Sequence, residues 1–364
     1  MHIGKKILDD IRQTLVTDYD INLTSEEYET FTNSFAHSHE KFHQGDYKSR
    51  QCASVGLMKK ILEHDGKEKI LLFLSELAGM EPQIQVLQPW NRDHVVHALN
   101  TFFTGVYMLK RIDVPGHHQV PYNLTRMWKL IGPTHDLGYP VEIAGNIQKE
   151  FMDIMNGILS EINPASPELK QPMCPDNLDV LCRGRSANDL IQNRLNEWKL
   201  GIDVYDYYAW LQKRNRMDHG VIGALAQLKV MDALCREKST GPLQAGTDGS
   251  KTHRNEECCE LDVVSAAASL FIHNINVRYP RFTNKIHFHI APIAFLLFLC
   301  DTFQEWDRYA DRRTVFRGDE FNIEYRDKRI FLSVPHELEA SIYEILNKRL
   351  EGLPITVNDQ SAVH

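Results

Sequence analysis

Apolar positions recur at helical spacing along most of this chain, and strand-like alternation is confined to one short stretch. The periodicity predicts helices over 5–16, 55–64, 68–79, 93–111, 122–133, 146–161, 187–199, 203–212, 219–236, 261–275, 291–310 and 336–350. Ser186, Asp203 and Asp218 stand just ahead of three of these stretches, where a side-chain oxygen can accept from the free N–H groups of a first turn. FNIEY and RIFLSV flank the polar Arg326-Asp327-Lys328 and predict a strand pair at 320–334. Residues 162–186 carry four prolines among polar residues and read as a loop. Residues 237–260 (EKSTGPLQAGTDGSKTHRNEECCE) show no periodicity and read as a mobile excursion, because little in them offsets the entropy of ordering. There is no internal repeat and no heptad run. The pattern therefore predicts an all-α fold in three parts. Residues 1–90 form a helical N-terminal extension, 91–310 a helical core, and 311–364 a small mixed tail with a β-hairpin and a helix.

Composition narrows the class of protein. Of 364 residues, 43% are hydrophobic and 25% charged, which excludes a disordered, collagen-like or disulfide-scaffold chain. The formal net charge of −8 argues against a general nucleic-acid binder, which needs a concentrated basic surface. The longest apolar run, 290–300, is far shorter than the ~20 residues of a membrane span. MHIGKKILDDIRQTL turns acidic where an export signal needs an apolar core. The seven cysteines show no paired CxxC spacing and read as reduced thiols of a cytoplasmic protein, vicinal Cys258-Cys259 included.

The 17 histidines change the picture. In TRMWKLIGPTHDLGYPVEIAG an apolar helix ends in His135-Asp136, and such a pair can ligate one metal or two neighbouring ones, since a carboxylate has two oxygens. A second His-Asp pair, His64-Asp65, is followed by Gly-Lys-Glu-Lys and reads as solvated surface. The company of the first pair separates the two. RDHVVHALNTFFTGVYML brings His94 and His97, Asp218-His219 opens DHGVIGALAQLKVMDAL, His273 closes VVSAAASLFIHNI, and Asp301 interrupts IAPIAFLLFLCDTFQEWDR. Any one such histidine has a bland reading as a hydrogen-bonded core residue. Ionisable groups in apolar helices are costly when unpaired, and five segments each delivering one favour a shared metal centre. Small residues share the histidine faces: Thr101 and Thr104, with Met108, follow His97, and Gly223 and Ala226, with Ile222, follow His219. Imidazole and carboxylate donors without thiolate suit Fe, Mn, Co, Ni or Zn.

The ordered set His97, His135-Asp136, His219, His273, Asp301 resembles the HD-domain metal-dependent phosphohydrolase superfamily, in its H…HD…H…H…D dinuclear variant. DHVVHAL, HDLGYP, DHG, LFIHNI and FLLFLCDTFQEWDR carry the likeness over roughly 90–310. HDLGYP is also similar to the signature of HD-GYP cyclic-dinucleotide phosphodiesterases, but the extended motif around it is absent, and that substrate is not carried over. The resemblance implies an HD-domain helical bundle and two divalent transition-metal ions. His97, His135, Asp136 and Asp301 would hold one, and Asp136, His219 and His273 the other, with His94 as the alternative first ligand. It implies catalysis centred on Asp136 and His135, in which a metal-bridging hydroxide cleaves a phosphate ester, a nucleotide or related small molecule. The same ligand set resembles the mixed-valent diiron oxygenases of that superfamily, and a non-catalytic nucleotide-sensing module is the third reading.

Other residues divide between two roles each. Arg308 shares a helix face with Asp301, Gln304 and Glu305 and is a candidate to hold substrate phosphate, or to pair with Glu305 or Glu142. Lys129 is a candidate phosphate contact or a solvated lysine, and Asp218 a helix cap or the orienter of a histidine. His287 and His289 alternate as in a strand, and His117-His118 sits in a Pro/Gly loop. No GxGxxG or GxxxxGK[ST] phosphate loop, GxSxG elbow or HExxH helix is present.

Overall fold

A computed structural model of the chain describes residues 5–19, 21–29, 47–63, 79–80, 94–111, 124–162, 181–182, 185–214, 216–239, 249–275, 279–282, 284–304, 322–326, 329–334, 348 and 350–359. These residues are mostly helical. In chain order the helices are α1 (Lys5–Tyr19), α2 (Tyr47–Glu63), α3 (His94–Arg111), α4 (Leu124–Ile131), α5 (Tyr139–Ile162), α6 (Ala187–Glu197), α7 (Val204–Gln212), α8 (His219–Ser239), α9 (Gly249–His273) and α10 (Pro292–Gln304). The expected helices at 68–79 and 336–350 lie almost wholly outside the described residues, as do His64-Asp65, His117-His118 and Arg308.

The centre is α9. Its stretch 264–272 is buried residue after residue, with three consecutive alanines flanked by serines, so neighbours can approach from several sides. It packs against α8, α10, α4 and α6, while α3 packs against α10 and, on its other side, α1 and α2. Ile11, Leu15 and Met58 consequently join the same buried apolar cluster as Phe102, Leu130 and Phe295. Close approach is built in where helices cross. A Cβ at Gly105 would collide with the Trp128 ring, whose Nε1–H donates to the Phe102 carbonyl at 2.8 Å. Ser186 and Asp203 cap α6 and α7 as their positions predict, accepting from the N–H groups of Asp189 and Asp206. Thr24 and Glu27 satisfy each other's N–H groups in a capping box that opens the turn at 25–29.

The hairpin appears as β3 (Asn322–Arg326) and β4 (Arg329–Val334), antiparallel, with Asn322 opposite Ser333. A third strand, β5 (Ile355–Asp359), joins β4 in parallel and has no counterpart in the sequence pattern. Residues 181–182 and 185–186 form β1 and β2, a two-residue ladder inside the stretch read as a loop. Two further expectations need correction. Of the excursion 237–260, residues 237–239 end α8 and 249–260 are the first half of α9. Once a helix has nucleated on the apolar 261–272, extending it adds one hydrogen bond per residue and requires no apolar period. His287 and His289 do not lie in a strand. They belong to a turn in which Phe288 packs edge-on against Phe295 and the His287 carbonyl accepts from Ile290 and Ala291, leading into α10. Pro292 then occupies the first helical position, where its missing N–H costs nothing.

Candidate metal centre

The HD pair is delivered by a tightened turn. After α4, Gly132-Pro133-Thr134 form a single 3₁₀ turn, and His135 and Asp136 follow in the four residues before α5. A Cβ on Gly138 would strike the His219 carbonyl, so only glycine lets this turn sit against the start of α8. Gly220 serves the same purpose between α8 and α9, where a Cβ would lie 2.5 Å from the Leu270 carbonyl. These two approaches bring three segments to one point.

Six side chains meet there. His97 Nε2 lies 3.1 Å from His135 Nε2, 2.9 Å from Asp301 Oδ1 and 3.7 Å from Asp136 Oδ2. His135 Nε2 lies 3.5 Å from Asp136 Oδ1 and 3.7 Å from Asp301 Oδ1. On the other side His219 Nε2 lies 3.4 Å from Asp136 Oδ1 and 3.0 Å from His273 Nε2. The donors therefore form two groups, His97–His135–Asp136 and Asp136–His219–His273, each buried and able to hold a metal ion. Asp136 belongs to both, with Oδ2 toward His97 and Oδ1 near both His135 and His219. His94 is buried but stacks on Tyr139, with ring centroids 3.8 Å apart, and is not in either group.

The donor chemistry fits cations. His135 Nδ1–H donates to the Gly132 carbonyl at 2.9 Å and His273 Nδ1–H to the Leu270 carbonyl at 2.6 Å. His219 Nδ1–H donates to Glu142 Oε2 at 2.6 Å, and the same oxygen accepts the His219 backbone N–H at 2.8 Å. With the Nδ1 protons so engaged, the Nε2 lone pairs face inward. Two such lone pairs 3.0 Å apart repel unless a proton or a metal ion lies between them. Charge follows the same logic. Burial, reinforced by His219 and His135, pushes His273 down to about 3 and keeps it neutral. Burial opposes protonation of His219 too, but the carboxylates of Glu142, first, and of Asp136 and Asp218 together outweigh it and raise His219 to about 9. His135 is likewise raised against the effect of burial, by Asp136 and Asp301. Glu142 is pushed up by burial, yet His219 holds it below the ordinary carboxylate value.

Asp218 acts as a cap. Its Oδ1 accepts from Gly220 N–H at 2.8 Å and Val221 N–H at 3.4 Å, its Oδ2 from the buried Tyr207 hydroxyl at 2.5 Å, and burial raises its carboxyl. Lys129 corrects one of the readings offered for it. It is buried rather than solvated, and its ammonium donates to the Tyr19 carbonyl of α1 at 3.0 Å. The α4 face that carries it is turned to the N-terminal helix. Glu142, weighed as a partner for Arg308, accepts from His219. That contact escaped sequence reasoning, because a glutamate in the first turn of a helix is already explained by the helix dipole. Its sole signal is its position six residues after Asp136.

Among the described residues, no helix is long and apolar enough to cross a membrane. Set against protein families, curated proteins and solved structures, the chain matches none of them.

Proposed function

We propose that this protein is an HD-type metal-dependent phosphohydrolase whose helices form an HD-domain bundle around two divalent transition-metal ions. The observation that carries the reading is the pair of buried donor groups sharing Asp136. His97, His135, Asp136 and Asp301 would hold one ion and Asp136, His219 and His273 the other. Bound ions of this kind supply a water-derived nucleophile at neutral pH and neutralise phosphoryl charge. The chain's own part is orientation. Backbone carbonyls and Glu142 fix three of the rings, and burial keeps the histidines and Asp136 out of bulk water. Asp301 is the most exposed of the six donors, with a side chain 19% exposed against 8% for His219 and 3% or less for His97, His135 and Asp136. A phosphate mono- or diester, a nucleotide or related small molecule, is the substrate class this donor set suits.

The test is metal analysis of protein purified without chelator, followed by a panel of phosphate esters and nucleotides. Two ions per chain and ester cleavage that chelation abolishes are the expected results. Protein that binds no transition metal, or that is metal-loaded yet inert toward the whole panel, would overturn the reading. Oxygen consumption by the iron-loaded protein in place of hydrolysis would replace it with the diiron oxygenase class.

A further inference from the structure

The three ring contacts that orient the histidines are not equivalent. His135 and His273 donate to neutral carbonyls, Gly132 and Leu270, each three residues earlier in its own segment. His219 is the first residue of α8, so no preceding helical turn of its own offers such a carbonyl. Its partner is an anion from another helix. Glu142, in the first turn of α5, places one oxygen 2.6 Å from His219 Nδ1 and 2.8 Å from the His219 backbone N–H. Gripping one residue at both backbone and ring fixes the ring plane. A charged acceptor also makes a stronger bond than a carbonyl does, and leaves the opposite nitrogen a better donor to a cation.

We propose, on the reading of the site as a two-ion centre, that Glu142 is a positioning residue acting through His219. Its carboxylate turns Nε2 toward Asp136 and His273 and strengthens it as a ligand, so the Asp136–His219–His273 half depends on Glu142 for its affinity, and the half held by His97, His135, Asp136 and Asp301 does not. The simpler role for this carboxylate is to satisfy the first N–H of α8, beside the Asp218 cap. Glu142→Gln separates the two, since glutamine keeps an acceptor oxygen for the N–H and removes the charge.

Calorimetric titration of metal-free wild type with Mn²⁺ should resolve two steps, one of which disappears in His273→Ala. Glu142→Gln should weaken that step by about 10- to 100-fold and leave the other in place. Unchanged steps, equal weakening of both, or weakening of the other step alone would overturn the proposal while leaving the metal centre standing. Wild type that takes up no Mn²⁺ would instead remove the metal centre, and this proposal with it. Should Glu142→Gln fail to fold, nitrogen-15 spectra of zinc-loaded wild type decide the matter. His219 is expected as the Nδ1–H tautomer with a strongly deshielded proton, and an Nε2–H tautomer would overturn the assignment.

Discussion

At the scale of single residues, Asp136 is the one side chain the two donor groups share, with Oδ2 toward His97 and Oδ1 near both His135 and His219. On the proposed reading of a two-ion hydrolase, Asp136→Ala should therefore lose both ions and all hydrolysis, whereas His219→Ala or His273→Ala should keep up to one ion. The helices should survive all three changes, because their stability comes from apolar packing. Metal stoichiometry measured beside circular dichroism checks this, and two ions retained in a folded Asp136→Ala protein would sink the bridging role. The histidines also fix how the metal-free protein responds to pH. His219, raised to about 9 from the ordinary 6.5, holds its proton more tightly folded than unfolded. Its contribution is complete below pH 6.5 and is lost as pH rises through about 9, and His135, raised in the same direction, adds to that loss. His273, pushed down to about 3, refuses a proton that the unfolded chain accepts below 6.5, so stability also falls from there toward pH 3. Melting temperature without metal should accordingly peak near pH 6.5. Saturating metal, which takes the place of these protons, should flatten the alkaline side. A metal-free profile that stays level from pH 6.5 to 9 would show that Glu142 does not hold His219 charged.

At the scale of elements, the geometry depends on helices that touch through glycine. At Gly220 a Cβ would lie 2.5 Å from the Leu270 carbonyl, the acceptor that orients His273, and 3.1 Å from His273 Nδ1 itself. Alanine would favour the helix by up to ~1 kcal/mol, but forcing α8 off α9 costs about 1–3 kcal/mol. Gly220→Ala should thus be destabilised in urea and should bind metal more weakly. Gly157→Ala, on α5 with open space around the site of the new methyl, should be stabilised by up to ~1 kcal/mol. Equal effects at the two sites would mean the α8–α9 approach is looser than described. The same elements show what sequence could and could not reveal. His97, His219, His273 and Asp301 could be read because an ionisable group in an apolar helix is costly without a partner, and the structure does bring these groups together. Helix ends with a side-chain cap, at Ser186 and Asp203, were equally readable, because the cap is local chemistry. The start of α9 was not, since helix propagation through 249–260 leaves no periodic mark. Glu142 and β5 were hidden for a different reason. Each gains its meaning from a partner distant in sequence, His219 in one case and β4 in the other.

At the scale of the molecule, the N-terminal helices are built into the body that carries the donors. Along α1, Ile11, Leu15 and Tyr19 are all buried, and the helix lies on α3, the element that presents His97. The Tyr19 ring meets Phe102 of α3 edge-on with centroids 5.8 Å apart, while its backbone carbonyl takes the Lys129 ammonium of α4. One short helix thus ties together two of the segments that lead into the candidate metal centre, and a residue far from the donors should control their cohesion. Leu15, 1% exposed, is the position to test. Leu15→Ala removes buried side chain and leaves a cavity, at a cost of about 2–5 kcal/mol if α1 unfolds together with the donor-bearing helices. Unfolding in urea should be followed by far-ultraviolet circular dichroism and, in the same samples, by release of bound metal. In wild type the two transitions should coincide, as expected of one cooperative unit. In Leu15→Ala both should move to lower urea by the same amount. If α1 instead formed a unit of its own, only part of the dichroism change would shift and metal release would stay at its wild-type midpoint. That outcome would separate the N-terminal helices from the metal centre and reduce the contact between α1 and α3 to a docking of independent parts.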